Sequence, residues 1–189
     1  MNNRKAILFS APSGSGKTTI IKQLLQYFDY FEFSISATSR QPRQGEVDGK
    51  DYYFLNPQEF KQRVAQGEFL EWEEVYEGTC YGTLKSEITR IWNNGHVIIF
   101  DVDVNGGMNL KKYFGDEALA IFVMPPSVEV LEQRLRQRGT ESEEAIAKRL
   151  GRSAKELNKS SEFDLTIIND TLQRAVEETK EAIVRYIGE

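Results

Sequence analysis

The residues best placed to do chemistry come early in this chain. Ala11-Pro12-Ser13-Gly14-Ser15-Gly16-Lys17-Thr18 follows a short apolar run, Lys5-Ala6-Ile7-Leu8-Phe9-Ser10. After it the apolar residues take a helical period, at Ile20, Ile21, Leu24 and Leu25. A strand, a small-residue loop and a helix in that order make an anion cradle. Gly14 and Gly16 carry no Cβ, so backbone N–H groups can curl around a phosphate chain. The helix aims its positive end at the same place. Lys17 adds a full charge for the outer phosphates, and the Thr18 hydroxyl suits a magnesium ion. A nucleoside triphosphate site is expected from Ala11 to Thr19. Ala11 stands where the phosphate-loop pattern has its first glycine, and alanine is small enough there if its φ is negative.

Three further groups could handle phosphate or a base. Arg40 and Arg43 flank Pro42. A guanidinium grips phosphate through two N–H donors at fixed angles, so the pair could clamp one monophosphate, with a hydroxyl from Tyr52. A charged surface turn would have the same composition. Glu71 lies in Phe69-Leu70-Glu71-Trp72-Glu73-Glu74-Val75-Tyr76, where strand alternation sets Leu70, Trp72 and Tyr76 on one face and Phe69, Glu71, Glu73 and Val75 on the other. A carboxylate there could accept from guanine N1–H and the 2-amino group together, which adenine cannot offer. A solvated strand face reads the same way. Asp101 and Asp103 follow Val97-Ile98-Ile99-Phe100, at the carboxyl end of a central strand, where such sheets bind ligands. Asp101 could hold magnesium through water. Arg134, Arg138 and Arg149 surround a Gly139-Thr140 break and read either as a solvated face or as a lid closing over a triphosphate.

These residues need a scaffold. Buried strands are expected at Phe31–Ser36, Val97–Phe100, Leu119–Val123 and Leu165–Ile168, each short and apolar. Helical patterns separate most of them. Ser127 caps one, Thr140 with Glu143 makes a capping box before another, and Asp170 opens the last. This alternation means an α/β fold with a mostly parallel five-stranded sheet and helices on both faces. Residues 37 to about 83 break the rhythm with a helix from Pro57, capped by Asn56, and a strand at Phe69–Tyr76. They read as a small α+β insertion.

Composition narrows the function further. With 24 basic and 29 acidic residues the net charge is −5, which favours neither nucleic acid nor a membrane surface as partner. An anionic substrate must then be held by local arginines. The single cysteine, Cys80, allows no intrachain disulfide and fits a reducing compartment. One histidine, His96, excludes a zinc site built on several histidines. No apolar run reaches membrane-spanning length, and a cytoplasmic enzyme is expected.

At this point the chain resembles guanylate kinases over nearly its whole length. The resemblance is carried by Pro12-Ser13-Gly14-Ser15-Gly16-Lys17-Thr18, by Arg-x-Pro-Arg-x-Gly-Glu and Gly-Lys-Asp-Tyr between Ser36 and Phe54, by Glu71-Trp72, Tyr81-Gly82-Thr83 and Asp101-Val102-Asp103, and by Pro125-Pro126-Ser127. It implies a fold of the P-loop nucleoside monophosphate kinase type in a single domain, 1–189. The core would be 1–36, 84–133 and 153–189, the GMP-binding insertion about 37–83, and a helical lid about 134–152. It implies transfer of the γ-phosphoryl of ATP to GMP, and to dGMP as well, with magnesium, in purine nucleotide metabolism. Residues 11–19 with Arg134 and Arg138 would bind ATP. Ser36, Arg40, Arg43, Tyr52, Glu71, Tyr81, Thr83 and Asp103 would bind GMP. Lys17, Arg40, Arg43, Arg134 and Arg149 would be catalytic, and Thr18 and Asp101 would serve the metal. The oligomeric state, monomer or homodimer, stays open. Three departures from the family pattern are Ala11, Thr83 where serine is frequent, and Asn105 where glutamine is expected. A non-catalytic peptide-binding module of the same fold would lack parts of the ATP site, and a sugar-phosphate kinase would have no use for the base-reading set.

Overall fold

The computed structural model describes residues 5–137 and 143–188. In chain order the elements are β1 (Ala6–Ser10), α1 (Lys17–Tyr27), β2 (Phe31–Phe33), β3 (Ala37–Thr38), β4 (Tyr53–Phe54), α2 (Pro57–Ala65), β5 (Phe69–Tyr76), β6 (Thr79–Leu84), α3 (Lys85–Asn93), β7 (Val97–Val102), α4 (Val104–Phe114), β8 (Ala118–Met124), α5 (Val128–Gln137), α6 (Glu143–Leu157), β9 (Leu165–Ile168) and α7 (Leu172–Ile187). Five strands form a sheet in the order β2-β7-β1-β8-β9, and the β1/β8 and β8/β9 pairs are parallel. The other four form a second sheet, β4-β3-β6-β5. The chain divides into two compact units, Tyr30–Ile98 and Lys5–Asp29 with Ile99–Glu189. No described helix is long and apolar enough to cross a membrane.

In the larger unit β1 and β8 bury as expected, whereas in β9, also expected to be buried, only Ile167 is enclosed and Ile168 is 46% exposed. Every residue of β1 is buried, and Phe9 and Phe122 are among the largest fully enclosed side chains. Each such aromatic contributes about 1.5–3 kcal/mol by leaving water. Phe100 packs on Phe114 of α4 at 5.8 Å between ring centroids, and Phe122 on Phe163 at 5.3 Å. Helix α4 crosses the end of β1 very closely. A Cβ on Gly107 would lie 2.1 Å from Ser10 Oγ, so only glycine permits the approach. Ser10 Oγ then donates to the Asp103 carbonyl at 3.1 Å, which fixes the start of α4 beside the phosphate loop.

In the smaller unit β3/β4 are parallel, while β3/β6 and β5/β6 are antiparallel. Helix α2 covers this sheet, and Phe60 stacks on Phe69 at 4.5 Å over a core with Ala37, Leu55 and Leu84. Asn56 caps α2 as expected, its Oδ1 accepting from Glu59 N at 2.8 Å.

Several expectations are corrected. The strand from Phe31 stops at Phe33, because the Ile35 N–H turns to the Glu87 carboxylate, 2.8 Å away, instead of a ladder partner. β7 runs on to Val102, so Asp101 lies within the strand. Helix α7 begins at Leu172 after Thr171, and Asp170 instead accepts from Thr171 N at 2.6 Å and pairs with Arg174 at 3.0 Å. Register shifts between Phe69 and Glu71 and between Glu74 and Tyr76 break the single alternation expected along β5, and Trp72 is 46% exposed. Ser127 does cap α5, its Oγ accepting from Val130 N at 3.3 Å. The Thr140 capping residue lies outside the described residues.

Candidate functional site

The loop between β1 and α1 has the geometry its sequence requires. Ser15 N donates to the Pro12 carbonyl at 3.2 Å, which tightens the turn. Gly16 precedes α1 at φ 90°, with no side-chain cap on the helix. That conformation favours glycine, and the space demands it as well, since a Cβ would meet Asn169 Nδ2 at 2.2 Å. Asn169 Nδ2 donates to the Ser15 carbonyl at 2.7 Å, pinning the loop from the end of β9. The Ser15 hydroxyl is buried without a hydrogen-bond partner among the described residues. No described residue other than glycine has positive φ, so Ala11, buried in the loop, is accommodated without strain.

Charged groups converge on this loop. Lys17 Nζ lies 2.5 Å from Asp101 Oδ1 and donates to the Val102 carbonyl, also at 2.5 Å. Thr18 Oγ1 donates to Asp101 Oδ2 at 2.9 Å, so one carboxylate gathers both residues. Arg134 reaches the Ser15 carbonyl at 3.4 Å and the Asn169 carbonyl at 3.1 Å. Arg149 donates to Ser13 Oγ at 2.9 Å. A cavity of about 290 Å³ opens beside the loop, lined by Gly14, Gly16, Thr19, Arg134, Asn169 and Leu172. Arg138 lies outside the described residues.

Asp103 sits two residues beyond Asp101. Its Oδ1 caps α4 by accepting from Gly106 N at 2.8 Å, and its Oδ2 pairs with Arg152 at 2.6 Å. Arg152 also holds Glu156 at 2.6 Å. Burial pushes the Glu156 carboxyl up and the Asp103 charge adds to this, against the pull of Arg152 and Lys17. Asn105, two residues on, accepts from Lys159 Nζ at 2.6 Å.

The smaller unit gathers the remaining candidates into two groups. In the first, Arg40 Nε donates to Tyr81 Oη at 3.1 Å, and the guanidinium lies over the Tyr52 ring at 4.9 Å. Tyr52 and Tyr81 meet edge to face at 5.9 Å. Glu46 grips Arg40 with both oxygens, at 2.6 and 2.7 Å, and accepts from Arg43 N at 2.7 Å. Those contacts hold the Glu46 carboxyl down at about 2, with the Arg40 hydrogen bond the main cause and burial opposing it. The Arg43 side chain is exposed. In the second group, β5 and β6 set Glu71 opposite Thr83, and Thr83 Oγ1 donates to Glu71 Oε1 at 2.7 Å. Thr83 is fully buried and Glu71 partly so, which is not the surroundings of a solvated strand face. Ser36 belongs to the same unit, and its carbonyl accepts from Tyr53 N at 2.9 Å. Beneath lies a buried carboxylate, Glu87, 1% exposed, which accepts from Tyr53 Oη, Ile35 N and Arg90 at 2.8–2.9 Å.

Sequence reasoning missed Asn169, Arg152, Glu156 and the part played by Glu46. Asn169 had a readable signal, a polar side chain directly after the last apolar strand, at the carboxyl end of a parallel sheet. Glu46 stood in a quoted motif without a role. Arg152 and Glu156 look like any charged pair one turn apart on a helix.

Known proteins resemble this chain over nearly its whole length. The guanylate kinase family model matches residues 3–186. A guanylate kinase of Porphyromonas gingivalis is 50% identical over 185 residues, covering 97% of this chain and 98% of that protein. One from Salinibacter ruber is 44% identical over 188 residues, the full length of both. The crystal structure of guanylate kinase from Anaplasma phagocytophilum superposes with a TM-score of 0.77 at 26% identity, covering 97% of this chain and 86% of that one.

Proposed function

The chain belongs to the guanylate kinase family, and from that premise we propose how its residues divide the transfer of the γ-phosphoryl of ATP to GMP. The phosphate loop from Ala11 to Thr19, with Arg134 and Arg138, binds ATP. Lys17 and Arg149 carry charge to the phosphates where negative charge builds up. Arg40, Arg43, Tyr52 and Tyr81 hold the GMP phosphate. Ser36, Glu71, Thr83 and Asp103 read the guanine, and dGMP is accepted as well, because none of these roles needs the ribose 2′-hydroxyl. The segment of about 37–83 acts as the acceptor-binding part and that of about 134–152 as a lid. The enzyme works in cytoplasmic purine nucleotide metabolism.

The observation that carries this reading is the single hydrogen-bonded group of Lys17, Thr18 and Asp101 at the mouth of the loop. It also supports a magnesium site. A hydroxyl and a carboxylate oxygen 2.9 Å apart are hard donors of the kind magnesium takes, alongside phosphate oxygens and water. Thr18 and Asp101 would hold the ion, Asp101 through water, and the bound ion supplies positive charge to the triphosphate. The acceptor oxygen of GMP is anionic near neutral pH, so no side chain need remove a proton from it. What remains is alignment of two polyanions and neutralisation of their charge, the work of the lysine and arginines. A coupled ADP-release assay over GMP, dGMP, AMP and a sugar phosphate tests the assignment. Turnover with GMP and dGMP is expected, with AMP rejected by about 10⁴-fold. Comparable rates with GMP and AMP would remove the base-reading roles.

A further inference from the structure

We propose that Glu46 is a positioning residue of the acceptor-phosphate group, whose one carboxylate sets the Arg40 guanidinium and the Arg43 backbone in the arrangement that receives a phosphate monoester. The inference rests on the reading of Arg40 and Arg43 as the arginines that grip GMP. Glu46 Oε1 accepts from Arg40 Nη2 at 2.7 Å. Oε2 accepts from Arg40 Nη1 at 2.6 Å and from Arg43 N at 2.7 Å. The Glu46 N–H in turn donates to the Arg43 carbonyl at 3.1 Å, so the turn from 43 to 46 is closed from both sides.

The consequence for Arg40 is a loss of freedom. Its Nε is spent on Tyr81 Oη, and Nη1 also donates to the Gln41 carbonyl at 3.0 Å. Tyr52 and Phe54 lie against the guanidinium, at 4.9 and 5.5 Å from their ring centroids. A guanidinium has five N–H donors in a rigid fork. Here most of them are committed to the protein, and the plane of the fork is set before any ligand arrives. Tyr81 is oriented by the same chain. Its oxygen accepts from Arg40, so its own hydrogen is left to donate to an anion. An arginine ordered beforehand does not lose its rotamer freedom on binding, and that is affinity gained by preorganisation. Glu46 also offsets the charge of Arg40, so the net positive charge of the group comes from Arg43. The two arginines thus differ, Arg40 as a fixed donor and Arg43 as the exposed cation.

The test compares GMP with guanosine, which has the same base and ribose but no phosphate, by titration NMR on the full chain. In Glu46→Gln the ratio of the guanosine Kd to the GMP Kd should fall by about tenfold, since a charge-assisted contact geometry is lost on the phosphate side alone. Guanosine and a non-hydrolysable ATP analogue should bind as in the wild type, and KM for GMP should rise more than kcat falls. Glu46→Asp keeps the charge but cannot span Arg40 and Arg43 together, so it should show most of the same loss. GMP binding as tight as wild type, or tighter, in Glu46→Gln would make the carboxylate idle or a rival of the phosphate, and would overturn the proposal. An equal loss for guanosine and GMP would also overturn it, because only the local fold would then depend on Glu46. Arg43→Ala separates the two levels. If its ratio is unchanged, the reading of the arginines fails. If its ratio collapses while that of Glu46→Gln does not, only the role of Glu46 fails.

Discussion

The phosphate loop and the arginine–tyrosine group of the smaller unit both present donors suited to phosphate, yet one is built from backbone and the other from side chains. In the loop, residues 11–16 are consecutive, and their shape depends on Gly16 at φ 90° and on Asn169 pinning Ser15. In the smaller unit Arg40, Arg43, Glu46 and Tyr52 come from the segment between β3 and β4 and Tyr81 from β6, and the pairing of β3 with β6 brings them together. The loop therefore tolerates a side-chain change such as Ala11 as long as φ allows it. The side-chain group tolerates nothing that alters reach or donor geometry. Their counter-ions differ in the same sense. Asp101 gathers Lys17 and Thr18 from one end of a helix, whereas Glu46 ties Arg40 to a turn three to six residues away.

The contrast can be broken most severely at Lys17. Lys17→Ala should lower kcat by about 10²–10³-fold through lost stabilisation of transition-state charge. The fold should survive, because the loop keeps its hydrogen bonds to Asn169 and Arg134 when those of Lys17 to Asp101 and Val102 are lost. Coupled ADP release together with a melting curve checks both. Near-wild-type turnover by the folded variant would withdraw the phosphate-loop assignment.

The next effect belongs to the register-built side. Glu71→Gln keeps the shape and one acceptor but turns a donor toward a guanine N–H, leaving polar groups poorly matched. The preference for GMP over AMP in kcat/KM should narrow by about 10²-fold. The Thr83 hydroxyl, donated to Glu71 in the wild type, can still find the amide oxygen, so stability should change little. A constant ratio would leave guanine reading to Ser36, Thr83 and Asp103.

The smallest effect sharpens the comparison by pH. The Glu46 carboxyl is depressed to about 2 from an ordinary 4.5. A depressed carboxyl adds stability that is complete above the unfolded value and is lost as pH falls toward the folded one. The stability that the Arg40–Glu46 clamp adds should thus be complete at pH 5, shrink below about 4.5, and vanish only as pH falls through about 2, where half of the folded-state carboxyl is protonated. Carboxyl-carbon NMR of Glu46 against pH measures this, and a midpoint near 4.5 would show that the clamp does not form in solution.

Much of this was legible in advance for a physical reason. Short apolar runs bounded by turns pair into a sheet, so the strands near Ala6, Val97, Leu119 and Leu165 and the caps at Asn56 and Ser127 could be read off. β3 and β4 are two residues long and exist only because β6 is there to start the ladder, so no periodicity announces them. The bulges in β5 likewise arise from its pairing with β6 and not from its own pattern.

The sequence by itself determined the phosphate loop, because its function rests on consecutive backbone groups and on glycine's lack of a side chain. It also determined the family, through residue types at set spacings. Which charge meets which was decided only by tertiary structure. Asn169 reaches Ser15 across 154 positions, Arg152 reaches Asp103 across 49, and Thr83 meets Glu71 across a strand pair. A charged or amide side chain reads the same on a solvated face as in a site, and its meaning depends on what the fold places within about 3 Å of it.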